Sequence, residues 1–140
     1  TLLTDQDNGI IYAPAADADP QAAAAYFLRL GERVCAGLNQ AGYAFCRGQV
    51  MASNPRWCRS LADWISGFDE WVNKAEPQEI IDLSIFFDFR MCFGNTELAD
   101  KLREYVSNDL KANDIYFHHM AAAWKSFSTI QMIITLYSAS

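Results

Sequence analysis

The segment TDQDNGIIYA at residues 4–13 joins two closely spaced acidic residues to a short apolar run. Residues 9–13 are apolar and partly β-branched, which predicts a β-strand. Side chains two residues apart on an extended backbone point to the same side, so Asp5 and Asp7 are predicted to project together. Such a pair can hold one hard cation such as Mg²⁺, which prefers oxygen ligands. The spacing alone leaves open the alternative of two solvated carboxylates in a polar turn.

Composition and charge limit the class of protein. The chain has 140 residues, of which 51% are hydrophobic and 14% aromatic, as expected for one globular domain with a substantial core. The formal net charge of -6 argues against a nucleic-acid backbone as the main partner, since proteins that bind it usually carry a basic patch. An anionic nucleotide would therefore need a metal ion or a few local arginines to hold it.

The cysteines and the apolar segments indicate a cytoplasmic protein. None of the four cysteines forms a CxxC pair or has a histidine at zinc-site spacing, so we predict reduced and mostly buried thiols. We expect neither a signal peptide nor a membrane span. The first residues lack a basic region followed by an apolar one, and no apolar run reaches the length of about 18 residues that a span needs.

Cap signals and hydrophobic periodicity predict helices over most of the remaining chain. Asp19-Pro20 is typical of an N-cap followed by proline in the first turn, and Gly42 is typical of a helix end. Residues 43–46 are compatible with a second short strand, and residues 86–93 with either a helix end or an extended segment. Start signals for four further helices stand at Asn54-Pro55, Glu76-Pro77, Thr96 and Asp114.

These elements predict an α+β fold that is mainly α, with one or two short strands at a sheet edge and a bundle of about five helices. Residues 1–52 would hold the strands and the first helix, and residues 53–128 the remaining helices. Residues 129–140 carry no charge. A strand, a helix tail and sequence added for expression are all open interpretations of this last segment.

Arg47, Asn54 and Arg56 are candidates for contact with a nucleotide or an acceptor, because guanidinium groups suit phosphate oxygens. In the structural interpretation Asn54 caps a helix, Trp57 lies in the core and both arginines lie on the surface. The structural interpretation is the stronger one for Asn54 and Trp57. The two interpretations are balanced for Arg47, whose neighbour Gly48 allows a close approach of the backbone.

Other polar residues in apolar surroundings point to structure rather than chemistry. Asp88 and Arg90 stand among phenylalanines, which favours a structural ion pair. His118 and His119 have no acidic or cysteine partner at a useful spacing, so we expect ordinary surface or core histidines. The aromatic residues between Trp57 and Trp71 are predicted to form core rather than a base-stacking platform, in keeping with the negative charge.

Three segments together resemble one family. TLLTDQDNGIIY at residues 1–12 resembles the acidic motif of DNA polymerase β-type nucleotidyltransferases, in particular the GlnD-like nucleotidyltransferases that sit beside CBS and cyclic-nucleotide-binding modules in bacterial signalling proteins. CRGQVMASNPRW at residues 46–57 resembles that family's CxGxVMAxNPxW segment. IFFDFR at residues 85–90, followed by Gly94, resembles its FFDFR…G segment. The PII-uridylyltransferases show a more distant version of the same layout.

The resemblance implies a role for several residues. Asp5 and Asp7 match the metal-binding pair, which would hold Mg²⁺, and Thr4 matches a position that is usually serine or threonine. A third carboxylate of the superfamily is not evident, because Gln49 stands where relatives often have an acid; Asp88 is a possible substitute. The family's Gly-Ser phosphate-binding loop would lie just before Thr1. We therefore expect this chain to be a fragment, catalytically silent alone, of a longer protein.

The implied function is transfer of a nucleotidyl group from a nucleoside triphosphate to an acceptor, with a regulatory protein as one candidate acceptor. Residues 1–52 would then be a remnant of the nucleotidyltransferase core, and residues 53–128 a helical part that binds the acceptor. CBS and cyclic-nucleotide-binding domains are the expected neighbours. The alternative is a non-catalytic regulatory module with a degenerate nucleotidyltransferase fold, which the missing third acid favours and the intact acidic pair opposes.

Overall fold

A computed structural model of the chain describes residues 5–74, 76–87, 89–112 and 132–138. The strands are β1 (Asp5–Gln6), β2 (Asn8–Ala13), β3 (Ala44–Phe45), β4 (Cys58–Ser60), β5 (Phe89–Phe93) and β6 (Met132–Ser138). The helices are α1 (Pro20–Gln40), α2 (Leu61–Lys74), α3 (Pro77–Phe87) and α4 (Thr96–Ala112). The class predicted from the sequence, α+β and mainly α, is confirmed. No helix in these described segments is both long and apolar enough to cross a membrane.

The strands form two parallel sheets. The larger has four strands in the order β4-β2-β6-β5, and the smaller consists of β1 and β3. Residues 8–12 of β2 are all buried, as is typical of an inner parallel strand covered on both faces. In the register of the larger sheet, Ile10 lies opposite Cys58 on one side and opposite Thr135 on the other.

The described part of the chain holds more strand than the sequence predicted. Residues 86–93, whose sequence is compatible with either a helix end or an extended segment, contain the end of α3 and all of β5. The uncharged segment at residues 129–140 contains β6, which pairs with both β2 and β5. Long-range pairing of this kind leaves little local signal, since a short apolar run has the same appearance in a strand and in a helix.

Helix α1 begins and ends as its sequence predicts. The Asp19 carboxylate accepts hydrogen bonds from the backbone N–H groups of Gln21 and Ala22, at 3.3 Å and 3.2 Å. Pro20 occupies the first turn, where its missing N–H costs nothing. After the helix, Gly42 adopts φ 106°, a left-handed conformation that glycine adopts without strain.

The predicted helix start at Asn54-Pro55 is wrong. Asn54 does cap, but it caps a single 3₁₀ turn, Pro55–Trp57, which leads into strand β4. Helix α2 begins only at Leu61, where the Ser60 hydroxyl accepts a hydrogen bond from the Asp63 N–H. The physical reason is tertiary, because residues 58–60 pair with residues 10–12 of β2 and are thereby held extended.

The later helix starts agree with the sequence as far as the structure describes them. Helix α3 begins at Pro77 and helix α4 at Thr96, whose first turn is held by the Asn95 side chain accepting from the Glu97 N–H at 2.9 Å. The fifth helix, predicted to start at Asp114, falls outside the described residues, and so do His118 and His119.

The aromatic residues between Trp57 and Trp71 contribute to the core, as predicted, and this core also receives residues from α1, from α4 and from the larger sheet. Trp57, Trp64 and Trp71 pack together with ring centroids 5.8–6.4 Å apart, and Trp64 and Phe68 are fully buried. The Trp64 indole N–H donates to the carbonyl of Ile10 at 2.9 Å. This bond ties α2 to the central strand β2, which carries the acidic segment at its start.

Candidate functional site

The acidic pair converges at the start of β2. Asp5 lies in β1 and is exposed, while Asp7 lies between β1 and β2 and is half-buried. One ligand atom from each of these carboxylates and the sulfur of the buried Cys46 all lie within 4.8 Å of one another. The prediction that Asp5 and Asp7 project to the same side of the chain is therefore confirmed.

The alternating residues on the other side of the same segment fix its position. Gln6 is buried, and its side-chain N–H₂ donates to the carbonyls of Cys35 at 3.0 Å and Tyr43 at 3.3 Å. Its side-chain oxygen accepts from the Asn8 amide at 3.0 Å. Gln6 thus connects the acidic segment to helix α1 and to the residue that precedes β3.

Asn8 connects the same segment to the loop that follows β3. Its side-chain oxygen accepts from the Ala52 N–H at 2.8 Å and from the Cys35 thiol at 3.4 Å. Its backbone N–H donates to the Val50 carbonyl at 3.1 Å. Since these groups are buried and hydrogen-bonded, they hold the backbone on which Asp5 and Asp7 stand.

Strand pairing brings Cys46 to the acidic pair. In the parallel register of β1 and β3, Asp5 lies opposite Ala44 and Gln6 opposite Phe45. Asp7 directly follows β1, and Cys46 directly follows β3. The Gln49 N–H then donates to the Cys46 carbonyl at 3.1 Å and closes a turn directly after the cysteine.

The electrostatics of the site follow from burial and mutual repulsion. Burial raises the pKa of Asp7 above its ordinary value of 3.8, and the nearby Asp5 charge raises it further, while a hydrogen bond from the Cys46 thiol opposes both effects. Burial raises the pKa of Cys46 to about 11, and the bond to the Asp7 carboxylate acts in the same direction. Without a cation, the thiol therefore keeps its proton at neutral pH.

The donor set fits a divalent cation. The Oδ1 atom of Asp7 is buried and has no hydrogen-bond partner, although buried polar atoms nearly always have one. Two carboxylates of the same charge side by side are costly unless a positive charge lies between them. A cation bound by Asp5 and Asp7 would supply both the missing partner and the missing charge.

Asn54 and Arg56 make structural contacts. The Asn54 side chain accepts from the Arg56 N–H at 3.1 Å and donates to the Gln49 carbonyl at 2.9 Å, which steadies Gln49 in its left-handed conformation at φ 59°. The Arg56 guanidinium pairs with the buried carboxylate of Asp82 and lies 5.2 Å from the ring centroid of Trp71.

The other candidates from the sequence are placed differently. Arg47 is exposed in the turn next to Cys46, with its side chain toward solvent. Thr4 and Asp88 lie outside the described residues. Gln49 supplies no carboxylate, and the third member of the cluster is Cys46, for which the sequence predicts only a reduced and buried thiol. The sequence indicated a short strand at residues 43–46 but not its partner, and it is the pairing of β3 with β1 that places Cys46 beside Asp7.

Comparison with known protein families supports the nucleotidyltransferase resemblance of the acidic segment. Residues 1–78 match the family described as "Putative nucleotidyltransferase DUF294". No curated protein and no solved structure gives a significant match to the chain. The matched residues include the Asp5–Asp7 pair, the Cys46–Trp57 segment and the paired strands β1 and β3 beside them. The chain therefore belongs to this nucleotidyltransferase family.

Proposed function

We propose that this chain carries the metal-binding part of a nucleotidyltransferase of the PII-uridylyltransferase kind, acting in a bacterial signal-transduction protein. In this proposal Asp5 and Asp7 hold Mg²⁺, and the reaction transfers a nucleotidyl group from a nucleoside triphosphate to an acceptor. The observation that carries the proposal is the convergence of the two carboxylates at the start of β2, with the Oδ1 atom of Asp7 buried and unpartnered.

The residues of the site have separate tasks in this reaction. A bound Mg²⁺ would polarise the phosphoryl oxygens and offset the charge that develops during transfer. Asp5 is exposed and can turn toward the ion and the incoming phosphates, whereas Asp7 is held in place by its half-buried position. Gln6 and Asn8 keep the backbone between them fixed, which phosphoryl transfer requires because it depends mainly on positioning.

The acceptor and the neighbouring domains belong to the same proposal. The net charge of -6 would repel a free triphosphate, so the metal and the exposed Arg47 would have to attract it. Arg47 stands next to Cys46 and can approach a phosphate held at the carboxylates. A regulatory protein is the proposed acceptor, with CBS or cyclic-nucleotide-binding domains as the sensing neighbours and the cytoplasm as the location.

A second function has an observation in its favour. Among the described residues, the third member of the cluster is a thiol and not the third carboxylate that the superfamily uses. A site that lost this acid could keep the fold and act only as a regulatory module coupled to ligand-sensing domains. The two functions differ in one measurable respect, because only the enzyme transfers a label from a nucleotide.

The test is transfer of label by the full-length protein. Each of the four nucleoside triphosphates, labelled at the α-phosphate, is incubated with the protein, Mg²⁺ and cell lysate. We expect one nucleotide to label an acceptor, and we expect Asp7→Asn to lower the rate at least about a hundredfold, since it removes a metal ligand. Asp17→Asn, in the exposed loop before α1, is the matched control and should keep the full rate.

Two results would contradict the proposal in different ways. Full activity in the Asp7→Asn variant would remove the metal role of this residue. Absence of labelling with all four nucleotides, while the protein remains folded by circular dichroism, would favour the regulatory module.

A further inference from the structure

We propose that the Cys46 thiolate is a third ligand of the cation site, and that the site therefore binds borderline transition-metal ions such as Zn²⁺ and Co²⁺ more tightly than Mg²⁺. The inference rests on the proposed function in one respect only, which is that Asp5 and Asp7 bind a cation. It requires no nucleotide and no acceptor, so it can be tested separately.

The spacing of the three donor atoms suits one ion. Ligands of a tetrahedral zinc ion lie about 2.0–2.3 Å from the metal and hence about 3.6 Å from one another. The carboxylate and sulfur atoms of this cluster lie within 4.8 Å of one another before any ion is bound. The remaining adjustment, of up to about 1.2 Å, is within reach of the Asp5 side chain, which is exposed and free to change rotamer.

A second observation points to a ligand at the same place. The Oδ1 atom of Asp7 is buried without a hydrogen-bond partner, next to a sulfur whose residue is only 7% exposed. An orphaned carboxylate oxygen beside a buried thiol is unfavourable in the absence of a positive charge. A cation bound by Asp7 and Cys46 would give the Oδ1 atom its missing partner and would offset the charge of the carboxylate.

The position of Cys46 is set by the backbone and not by chance packing. Its chain neighbour Phe45 pairs with Gln6, and its carbonyl accepts from the Gln49 N–H at 3.1 Å. The loop that follows is bound to Asn8 through Val50 and Ala52. Cys46 is thus held beside Asp7 by the same contacts that hold the acidic segment.

The donor set decides which ions are preferred. Mg²⁺ takes oxygen ligands and keeps several waters, while a thiolate favours zinc and other softer ions. When the metal–sulfur bond forms, the thiol proton leaves to solvent. Three protein ligands leave the fourth position of a tetrahedral ion open, which is the arrangement of catalytic zinc sites and leaves room for a phosphate oxygen.

The other cysteines in the described part of the chain do not belong to this cluster. Cys35 donates to Asn8 on the opposite side of the segment, Cys58 lies in β4, and Cys92 is exposed in β5. Cys92→Ser is therefore a matched control for Cys46→Ser, since it removes a thiol without touching the site.

The experiment is a Co²⁺ titration of the metal-free chain, read by the near-ultraviolet absorption that arises only when a thiolate binds cobalt. We expect this band in the wild type and in Cys92→Ser, and its absence in Cys46→Ser. We also expect Zn²⁺ to abolish the band at stoichiometric amounts and a hundredfold excess of Mg²⁺ to leave it. Cys46→Ser should weaken Zn²⁺ binding at least about tenfold and Mg²⁺ binding less than about threefold.

Asp5→Asn is a second variant that keeps the test decisive if Cys46→Ser fails to fold. Asp5 is exposed, so the variant should fold, keep the sulfur band and need about tenfold more Co²⁺ to reach it. Co²⁺ binding by calorimetry without the band would overturn the role of Cys46 and leave Mg²⁺ binding by the acidic pair standing. An unchanged band in Cys46→Ser, or no Co²⁺ binding at all, would equally overturn it.

Discussion

Asp7 shows at the level of one residue how a binding site opposes stability. Its carboxylate is half-buried beside a second carboxylate, and this burial is the main reason that its pKa is raised above 3.8. A raised pKa means that the folded protein binds the proton more tightly than the unfolded chain does. The contribution of this group to stability is then fully present below pH 3.8 and is lost as the pH rises through the folded pKa.

The first prediction at this scale is that Asp7→Asn stabilises the metal-free protein at neutral pH. Asparagine has nearly the same shape and does not ionise, so it avoids the buried charge. The midpoint of thermal unfolding, measured in the presence of a chelator, should be higher in the variant at pH 7. This advantage should shrink as the pH falls toward 3.8, where the wild-type carboxyl is protonated.

Asp17→Asn provides the comparison, because Asp17 is exposed in a loop and its replacement should change stability by less than about 0.5 kcal/mol. A lower unfolding midpoint for Asp7→Asn than for the wild type at pH 7 would contradict the prediction. It would mean that the hydrogen bond from the Cys46 thiol outweighs the cost of burying the charge.

At the level of elements, helix α1 is held against the site through one close backbone contact. A Cβ atom added at Gly31 would lie 2.1 Å from the carbonyl oxygen of Ala52. The N–H of the same Ala52 donates to Asn8. Gly31 therefore allows the helix to approach the loop that supports the acidic segment.

We expect Gly31→Ala to lower the free energy of unfolding by about 2–3 kcal/mol, because backbone atoms must move apart. The same helix contains a matched position, since a Cβ added at Gly37 meets nothing within 4 Å. Gly37→Ala should raise the free energy of unfolding by about 0.5–1 kcal/mol through helix propensity alone. Urea unfolding of both variants measures the difference. Equal effects at the two positions would show that the contact with Ala52 contributes nothing.

At the scale of the whole molecule, the larger sheet is completed by the C-terminal strand. β6 lies between β2 and β5, with Ile134 opposite Gly9 on one side and Met91 on the other. The uncharged segment at residues 129–140, whose sequence gives little local signal, thus contains an inner strand of the larger sheet. The stability of the acidic segment, which begins at the neighbouring strand, depends on residues more than a hundred positions away.

Ile134→Pro should therefore abolish cooperative unfolding or lower the free energy of unfolding by at least about 3 kcal/mol, because proline removes a hydrogen-bond donor from an inner strand. Ala16→Pro is the control, since Ala16 is the second residue of a turn closed by the Ala18 N–H and the Ala15 carbonyl, where proline fits. Circular dichroism during thermal unfolding separates the two. A variant Ile134→Pro as stable as Ala16→Pro would place β6 outside the sheet.

Local chemistry explains which features the sequence predicted. Asp19-Pro20 marked the start of α1 and Gly42 its end, and the alternation of residues 4–13 was enough to put Asp5 and Asp7 on one side. Each of these features depends on groups a few residues apart, whose geometry is set by the backbone itself. The family membership likewise came from residues contiguous in the chain.

The sequence alone was thus enough to predict the class of fold, the strand that follows the acidic pair and the direction in which that pair points. Three features follow from long-range contacts alone: residues 58–60 form a strand, β6 lies inside the sheet, and Cys46 lies beside Asp7. The reason is that a cap signal acts over one turn, whereas strand pairing is decided by the partner strand. The Asn54 cap sets the conformation of residues 55–57, but pairing with β2 makes residues 58–60 a strand. In the same way, pairing of β3 with β1 brings the Cys46 thiol to the carboxylates of Asp5 and Asp7.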